Sequence, residues 1–260
     1  MIFTNTIAVI LALAPATLFA APTKTIDSMA LIIPRDGLSP RLIEQLQPAV
    51  AACDLSNAAL PAGKLAFLSL CSTLQLIIFI EASGLPAVSQ GLKLKHIAVG
   101  RGVQNYTCAT AAATETPKAI GAVASLFNAT CDGVRAPAVL ASVTKIALGY
   151  SIPNTKLAEG RLSGHHEFTE KGVPFFKLQT DKVNFGAVHV GNAVKMDAPK
   201  DASTGPNGLG SVQWLKLTRV DGDYQEVYRI NTAGGVAPKT CEGVQGSISV
   251  DYAAEYWFYA

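Results

Sequence analysis

Two adjacent histidines, His165 and His166, are the most conspicuous polar residues of the chain. Imidazoles are common zinc ligands, but neighbouring residues of a strand point to opposite faces. This pair is therefore not expected to chelate one metal ion, although either ring could meet His96 or His189 across a sheet. The alternative is that one ring packs or forms a hydrogen bond while the other is solvated. We expect that second arrangement, and no metal site.

Acid–base chemistry would need carboxyl groups, and Glu255 is the one in an unusual setting. It lies between aromatic residues near the C-terminus, where burial would require a partner such as Arg229. With His165 and His166, these two residues are the candidate catalytic groups of a carbohydrate-active hydrolase or lyase. No Gly-x-Ser-x-Gly elbow is present, so serine hydrolase chemistry is not indicated. Other acidic side chains are expected to be surface or structural charges: Glu167, Glu170, Asp181 and Glu226.

Aromatic residues could form a platform that stacks on sugar rings. The candidates for ligand binding are Tyr106, Trp214 and Trp257. Most aromatic residues are nevertheless expected in the core. Those of the segment 253–259 alternate between both faces of the predicted strand, so this strand is either buried on both faces or presents one face to a ligand.

The elements that must position these residues are mostly short strands. From Leu92 onward, β-branched and aromatic runs alternate with turn residues, which predicts an all-β fold. We expect an antiparallel β-sandwich or a barrel-like domain with a disulfide-tied C-terminal strand. Asp221-Gly222 predicts a two-residue hairpin turn. The predicted strands are 94–100, 102–109, 119–127, 138–147, 173–178, 185–191, 211–220, 223–232 and 253–259.

The composition indicates a large core and no charged binding surface. Of 260 residues, 49% are hydrophobic and 15% are charged, and the formal net charge is only +2. Such a chain buries enough apolar surface to fold. It lacks the basic stripe with which proteins bind nucleic acid or acidic membranes. We therefore expect neither of these partners; the oligomeric state is left open.

The N-terminus and the cysteines both indicate an oxidising compartment. Residues 1–20 are predicted to be a signal peptide, with an apolar run from Ile7 to Ala14 and small residues at the cleavage point. After cleavage, no membrane segment is expected. N-glycosylation sequons begin at Asn105 and Asn128. Five cysteines remain in the mature chain: Cys53, Cys71, Cys108, Cys131 and Cys241.

Three regions follow from these signals. Residues 1–20 form the signal peptide, residues 21–91 an N-terminal arm, and residues 92–260 the β domain. Within the arm, Ser39-Pro40 and the helical spacing after it predict one short helix that ends near Cys53.

Six motifs in order resemble the fungal secreted proteins of the domain-of-unknown-function family numbered 3455. They are 100–108, 119–127, 164–168, 210–217, 228–241 and 252–259, and the resemblance covers most of residues 92–260. It implies an all-β fold and secretion, but no activity. Members are often labelled malate dehydrogenase, which the residues do not support. Gly100-Arg-Gly102 is the nearest match to a dinucleotide-binding turn, and Asn105 stands where its third glycine should be. No cofactor is expected.

The segment 65–83 has no counterpart in the family pattern. It is apolar without a clear period, and we interpret it as an insertion, with a buried helix as the alternative. Removing it deletes Cys71 and leaves four cysteines, which allow three pairings. Cys108–Cys131 with Cys53–Cys241 is the pairing we favour.

The sequence thus predicts a secreted, extracellular or wall-associated binding protein without catalytic activity. The expected ligand class is a glycan or cell-wall polysaccharide. The alternatives are an extracellular carbohydrate-active enzyme and a secreted effector. A cleft that combines either histidine with two carboxylates would favour the enzyme, and an exposed aromatic strip would favour binding.

Overall fold

The computed structural model describes residues 53–61 and 84–260. Within them, eight antiparallel strands follow one another in chain order around a closed barrel. In the same ranges, three α-helices occupy the connection between β2 and β3, and a 3₁₀ turn spans Leu55–Asn57. The strands are β1 (Leu94–Cys108), β2 (Lys118–Asn128), β3 (Leu162–Phe168), β4 (Pro174–Gln179), β5 (Asn184–Met196), β6 (Trp214–Gly222), β7 (Glu226–Gly234) and β8 (Gly246–Tyr259). The helices are α1 (Thr130–Arg135), α2 (Pro137–Leu148) and α3 (Lys156–Arg161).

The all-β prediction is confirmed, and of the two predicted architectures the chain adopts the barrel. Closure pairs β8 with β1 over most of their length, from Leu94 opposite Tyr259 to Cys108 opposite Gly246. A closed barrel leaves no strand edge unpaired, which removes the usual template for edge-to-edge aggregation.

One predicted strand, 138–147, is wrong, because this segment forms helix α2. Pro137 stands in the first turn, where its fixed φ suits a helix and its missing N–H costs nothing. The buried residues of α2 are Leu140, Thr144 and Leu148, which recur at the four-residue spacing of one helix face. Its β-branched residues favoured a strand, but tertiary packing of that face decides the outcome.

The predicted hairpin between β6 and β7 exists, but its two-residue turn is wrong. Thr218 lies opposite Glu226, so the loop is longer than Asp221-Gly222. Those two residues extend β6 instead and pair with β5, where Gly222 lies opposite Val188. Gly222 has a φ of 115°, and a Cβ there would lie 2.3 Å from the Ala187 carbonyl oxygen. Glycine is therefore needed here because two strands approach each other closely, and not because the chain turns.

Two hydrophobic cores lie on opposite faces of the same strands. The inner core fills the barrel with residues such as Phe176, Tyr256 and Phe258. The outer core covers β1, β7 and β8 from outside; it includes Trp257 and Tyr228 together with Leu140 of α2. Strand β8 is thus buried on both faces, which explains why its aromatic residues alternate without a polar face.

Both disulfides differ from the favoured pairing. Cys53 is bonded to Cys131, and Cys108 to Cys241. Cys108 ends β1, whereas Cys131 follows the far end of the antiparallel β2. The two residues are therefore separated by a strand of 11 residues, about 36 Å at 3.3 Å per residue. That separation forbids a bond between them.

Three predictions fall outside the described residues. They are the signal peptide at 1–20, the short helix before Cys53 and the inserted segment 65–83 with Cys71. Within the described ranges, no helix is long and apolar enough to cross a membrane.

Candidate functional site

A groove with a volume of about 690 Å³ lies on the outside of the barrel. This volume falls within the roughly 300–1,000 Å³ typical of small-molecule sites. We call it the outer groove. Its walls are α2, the segment 59–61, the loop 199–203 and the end of β7. The residues that line it are Ala59, Leu60, Pro61, Pro137, Ala138, Ala141, Ser142, Thr144, Lys145, Pro199, Asp201, Ala202, Ser203, Trp214, Asn231, Thr232 and Ala233.

Two local features fix the walls of the outer groove. The segment 53–61 is bonded to α1 through Cys53–Cys131, and Leu55 and Leu60 pack on the outer core. Opposite this segment, α2 turns Ala138 and Ala141 toward the groove. Alanine side chains leave space beside the helix that larger residues would fill.

Trp214 supplies the groove with an aromatic ring and an unsatisfied donor. It is the first residue of β6 and lies opposite Met196 of β5. Only 6% of its surface is exposed, and its Nε1–H has no hydrogen-bond partner among the described residues. A buried, unpaired N–H costs about 1–3 kcal/mol, so a ligand that accepts from it would recover this energy.

Two of the hydroxyl groups among the residues that line the outer groove already donate their hydrogen within the protein. Ser142 Oγ donates to the Val139 carbonyl at 2.7 Å, and Thr232 Oγ1 donates to the Val212 carbonyl at 2.6 Å. Each hydroxyl oxygen keeps lone pairs after donating its single hydrogen. These lone pairs suit a ligand that carries hydroxyl groups of its own.

Glu255 is fully buried in the outer core, and its two partners are neutral. Asn231 Nδ2 donates to one carboxylate oxygen at 2.8 Å, and Trp257 Nε1 donates to the other at 2.9 Å. Desolvation raises the pKa of Glu255, and these two hydrogen bonds offset part of the rise. Asn231 also lines the groove, so Glu255 supports the groove through that amide.

The expected ion pair between Glu255 and Arg229 is wrong. In the register of β7 and β8, Glu255 lies opposite Ile230, whereas Arg229 lies opposite Tyr256. Side chains alternate across the sheet, so Arg229 points into the barrel and Glu255 points out. Asn231 reaches Glu255 because a bulge lies between Ile230 and Ala233, where Asn231 has a φ of 46°. Asparagine tolerates this left-handed conformation better than most residues do.

His165 and His166 lie on opposite faces of β3. His165 is exposed outside the barrel, opposite Lys177 of β4. His166 is buried inside, stacked on Phe176 with ring centroids 4.1 Å apart, and its Nδ1 lies 2.9 Å from the Phe175 carbonyl oxygen. Burial lowers the pKa of His166 to about 4, so the ring is neutral near pH 7. No described carboxylate forms an ion pair with either residue.

The two other histidines do not join this pair. His96 is buried, with Nε2 2.9 Å from Ser163 Oγ, and burial lowers its pKa to about 4. His189 stacks on Phe175 at 4.2 Å. Among the described residues, no three His, Cys, Asp or Glu side chains are grouped as metal ligands.

Of the three aromatic ligand candidates, only Trp214 lines the outer groove. Trp257 is fully buried and hydrogen-bonded to Glu255, which leaves no surface for stacking on a sugar. Tyr106 lies at the barrel end, half-buried, and donates to the Gly235 carbonyl at 2.7 Å. The residues that sequence reasoning missed are Asn231 and the alanines of α2, because their positions depend on the bulge and on the helix.

Both glycosylation sequons lie on β strands near their ends or bulges. Asn105 of β1 accepts a hydrogen bond from Ser249 Oγ at 2.8 Å, and Asn128 ends β2 and accepts from the Thr130 amide at 3.0 Å. Both side chains are half-buried. Their modification stays a prediction.

Comparisons with known proteins place these features in a family context. A family model described as "Protein of unknown function (DUF3455)" matches residues 88–260. No curated protein and no solved structure matches the chain. The family match confirms the resemblance drawn from the six sequence motifs, and it carries no assigned activity.

Proposed function

The chain belongs to the DUF3455 family of proteins of unknown function, and we propose that it binds a glycan outside the cell, in the outer groove, without chemical turnover. The observation that carries this proposal is Trp214, which lines the groove and whose buried indole N–H has no hydrogen-bond partner among the described residues.

A glycan fits the groups around Trp214. Sugar rings carry apolar C–H faces that pack on aromatic and aliphatic side chains, and hydroxyl groups that both donate and accept. The residues that line the outer groove are Trp214, with its unpaired indole N–H, several alanines and prolines, and residues with acceptor oxygens. Its charged lining residues are one of each sign, Lys145 and Asp201, which favours a neutral ligand.

An extracellular location is supported by the covalent structure. Two disulfides join segments 78 and 133 residues apart in the sequence. Such bonds form and persist in oxidising compartments. The predicted signal peptide is in keeping with the same location.

Catalysis by a carbohydrate-active enzyme is the second candidate, and the raised pKa of Glu255 is the observation that favours it. General acids of glycosidases are carboxyl groups whose pKa is raised by an apolar setting. Against this role, both oxygens of Glu255 accept hydrogen bonds from Asn231 and Trp257, and Glu255 itself does not line the outer groove. We therefore prefer binding.

The test is to incubate the purified protein with a panel of cell-wall polysaccharides and their oligosaccharides. Retention on a polymer without release of reducing ends supports binding. Release of reducing ends that disappears in Glu255→Gln would show the enzyme instead. Neither retention nor release on any polymer would refute both candidates.

The variant Trp214→Phe locates the binding site. It keeps an aromatic ring but removes the N–H, so glycan affinity should fall about 2- to 10-fold, the usual range for one neutral hydrogen bond. Tyr150→Phe is the matched control, because Tyr150 is 70% exposed and lies outside the groove lining. Its affinity should equal that of the wild type.

A further inference from the structure

A second polar region lies inside the barrel, at the end where β1 and β7 finish and β6 and β8 begin. We call this region the barrel mouth, and its inward-facing polar residues are Gln104, Lys195, Arg229, Tyr252 and Tyr256. Their strand partners show the direction, because Gln104 lies opposite Ala122, and Arg229 and Lys195 both lie opposite Leu215. Ala122 belongs to the inner core, and Leu215 packs against it.

Gly100 of β1 makes room for the Tyr256 ring. A Cβ at Gly100 would lie 2.6 Å from the Tyr256 ring, and Tyr252 lies opposite Gly102 in the neighbouring strand. The two hydroxyl groups consequently meet inside the barrel, 3.0 Å apart. Whichever hydroxyl donates in this pair, the hydrogen of the other has no acceptor among the hydrogen bonds of the described residues.

Arg229 brings a cation to the same place. Its Nε and Nη2 donate to the Gln213 carbonyl at 3.2 and 2.9 Å, and the guanidinium lies near enough to Tyr256 to act against the rise in that hydroxyl's pKa. A guanidinium carries five N–H donors, so the two bonds to Gln213 leave three of them without a recorded partner. Arg229 is half-buried and thus reaches both the barrel interior and the solvent.

Donors are in surplus throughout the barrel mouth. Gln104 is 9% exposed, and its Nε2 has no hydrogen bond of normal geometry, although the side chain lies near enough to Tyr252 to lower that hydroxyl's pKa. Lys195 adds a second, exposed cation. In the described part of the chain, neither Lys195 nor Arg229 has a carboxylate within 4.0 Å. The carboxylate nearest to Lys195 in the sequence is that of Asp197, which accepts a hydrogen bond from the Gln213 side-chain amide at 2.8 Å.

We propose that the barrel mouth binds a small oxyanion, with Arg229 as the principal contact and Gln104 and the Tyr252–Tyr256 pair as further donors. An oxyanion supplies the acceptors that these groups lack. Arginine binds carboxylate and phosphate groups particularly well, because its planar fork matches two oxygens at once. The site lies on the inner face of the barrel, so it is independent of the outer groove and of the proposed glycan function.

The test is calorimetric titration with acetate, benzoate, phosphate and sulfate at constant ionic strength. We expect saturable binding of at least one of them to the wild type, and the carboxylate and phosphate arms identify the preferred group. Arg229→Gln should weaken that binding about tenfold or more, because it removes charge-assisted hydrogen bonds. Lys195→Gln should weaken it about twofold, as expected for an exposed charge.

Arg219→Gln is the matched control, because Arg219 is an exposed arginine of β6 whose loss should leave the affinity unchanged. Circular dichroism and the melting temperature establish that Arg229→Gln is folded. If it is not, Gln104→Leu replaces it as the test variant, with weaker binding expected. The proposal is overturned if none of the four anions binds at tens of millimolar, or if the wild type and the folded test variant bind equally.

Discussion

Glu255 and Arg229 occupy neighbouring positions of paired strands, yet the sheet places them in two separate environments. Glu255 lies on the outer face, beneath the outer groove, with neutral partners. Arg229 lies on the inner face, at the barrel mouth, and donates to the Gln213 carbonyl. One strand position separates the two residues, and among the described residues neither of them forms an ion pair.

The difference shows how one sheet can carry two independent polar regions. On the outer face, burial raises the pKa of Glu255, and the groove is lined by one charge of each sign, Lys145 and Asp201. On the inner face, the guanidinium keeps its charge at any accessible pH, and solvent reaches it. The outer face is thus suited to a neutral ligand and the inner face to an anion.

The largest effect is expected from removal of the Cys53–Cys131 disulfide by the double variant Cys53→Ser, Cys131→Ser. Stability should fall by about 2–4 kcal/mol in chemical denaturation, because the crosslink closes a long loop. The bond holds the segment 53–61, one wall of the outer groove, so glycan binding should be lost as well. Anion binding at the barrel mouth should persist. Loss of anion binding in the folded variant would show that the two faces are not independent.

The next effect concerns Asn231, which connects the outer groove to Glu255. Asn231→Gly can still adopt the left-handed backbone conformation, but it removes one of the two hydrogen bonds to the Glu255 carboxyl group. This loss should lower the free energy of unfolding by about 1–3 kcal/mol. Asn231→Ala removes the same hydrogen bond and adds the penalty of a Cβ at positive φ, a further ~1 kcal/mol. Denaturant titration of both variants separates the two costs. Equal stability of the wild type and Asn231→Gly would mean that the hydrogen bond to Glu255 contributes nothing.

A smaller effect is expected in the pH dependence of stability. The pKa of Glu255 is raised in the folded state, so the folded protein holds this proton more tightly than the unfolded chain does. The contribution of Glu255 to the free energy of unfolding is highest below about pH 4.3, the pKa of a glutamate in the unfolded chain. It falls as the pH rises through the pKa that Glu255 has in the folded protein. The stability of the wild type relative to Glu255→Gln should therefore decrease as pH rises.

Glu226 provides the matched control for that experiment, because it is a buried acid on the same outer face. Burial acts to raise its pKa, but hydrogen bonds from Lys216 and Ser89 outweigh burial and lower it. The stability of the wild type relative to Glu226→Gln should therefore increase as the pH rises through the lowered pKa that Glu226 has in the folded protein. It should level off above the pKa that Glu226 has in the unfolded chain. Slopes of the same sign for both variants would contradict this assignment.

Much of the barrel was predictable from the sequence, because alternation and turn residues are local signals. The strands around Val99, Phe176 and Trp257 were all expected, and so was the burial of most aromatic side chains. Residues 138–147 were mistaken for a strand because β-branched residues occur in both kinds of element. Only the packing of Leu140 and Leu148 on the barrel decides in favour of the helix.

The candidate site was less predictable, since it depends on contacts between distant segments. Trp214 was named as a ligand residue from its type alone, but the groove around it brings together α2, the segment 59–61 and the loop 199–203. The pairing of Glu255 with Arg229 failed because it required the register of β7 against β8. No local pattern encodes that register, and the bulge after Ile230 shifts it further.

The most direct test of the proposed function is the indole N–H region of a nitrogen-15 correlation spectrum during glycan titration. The chain has two tryptophans, so two indole signals are expected, and Trp214→Phe assigns them. On addition of the polysaccharide fragment that the protein retains, the Trp214 signal should move in a saturable way toward that of a hydrogen-bonded indole. The Trp257 signal should stay in place, since this N–H already donates to Glu255. Saturable binding with an unmoved Trp214 signal would contradict the placement of the ligand in the outer groove.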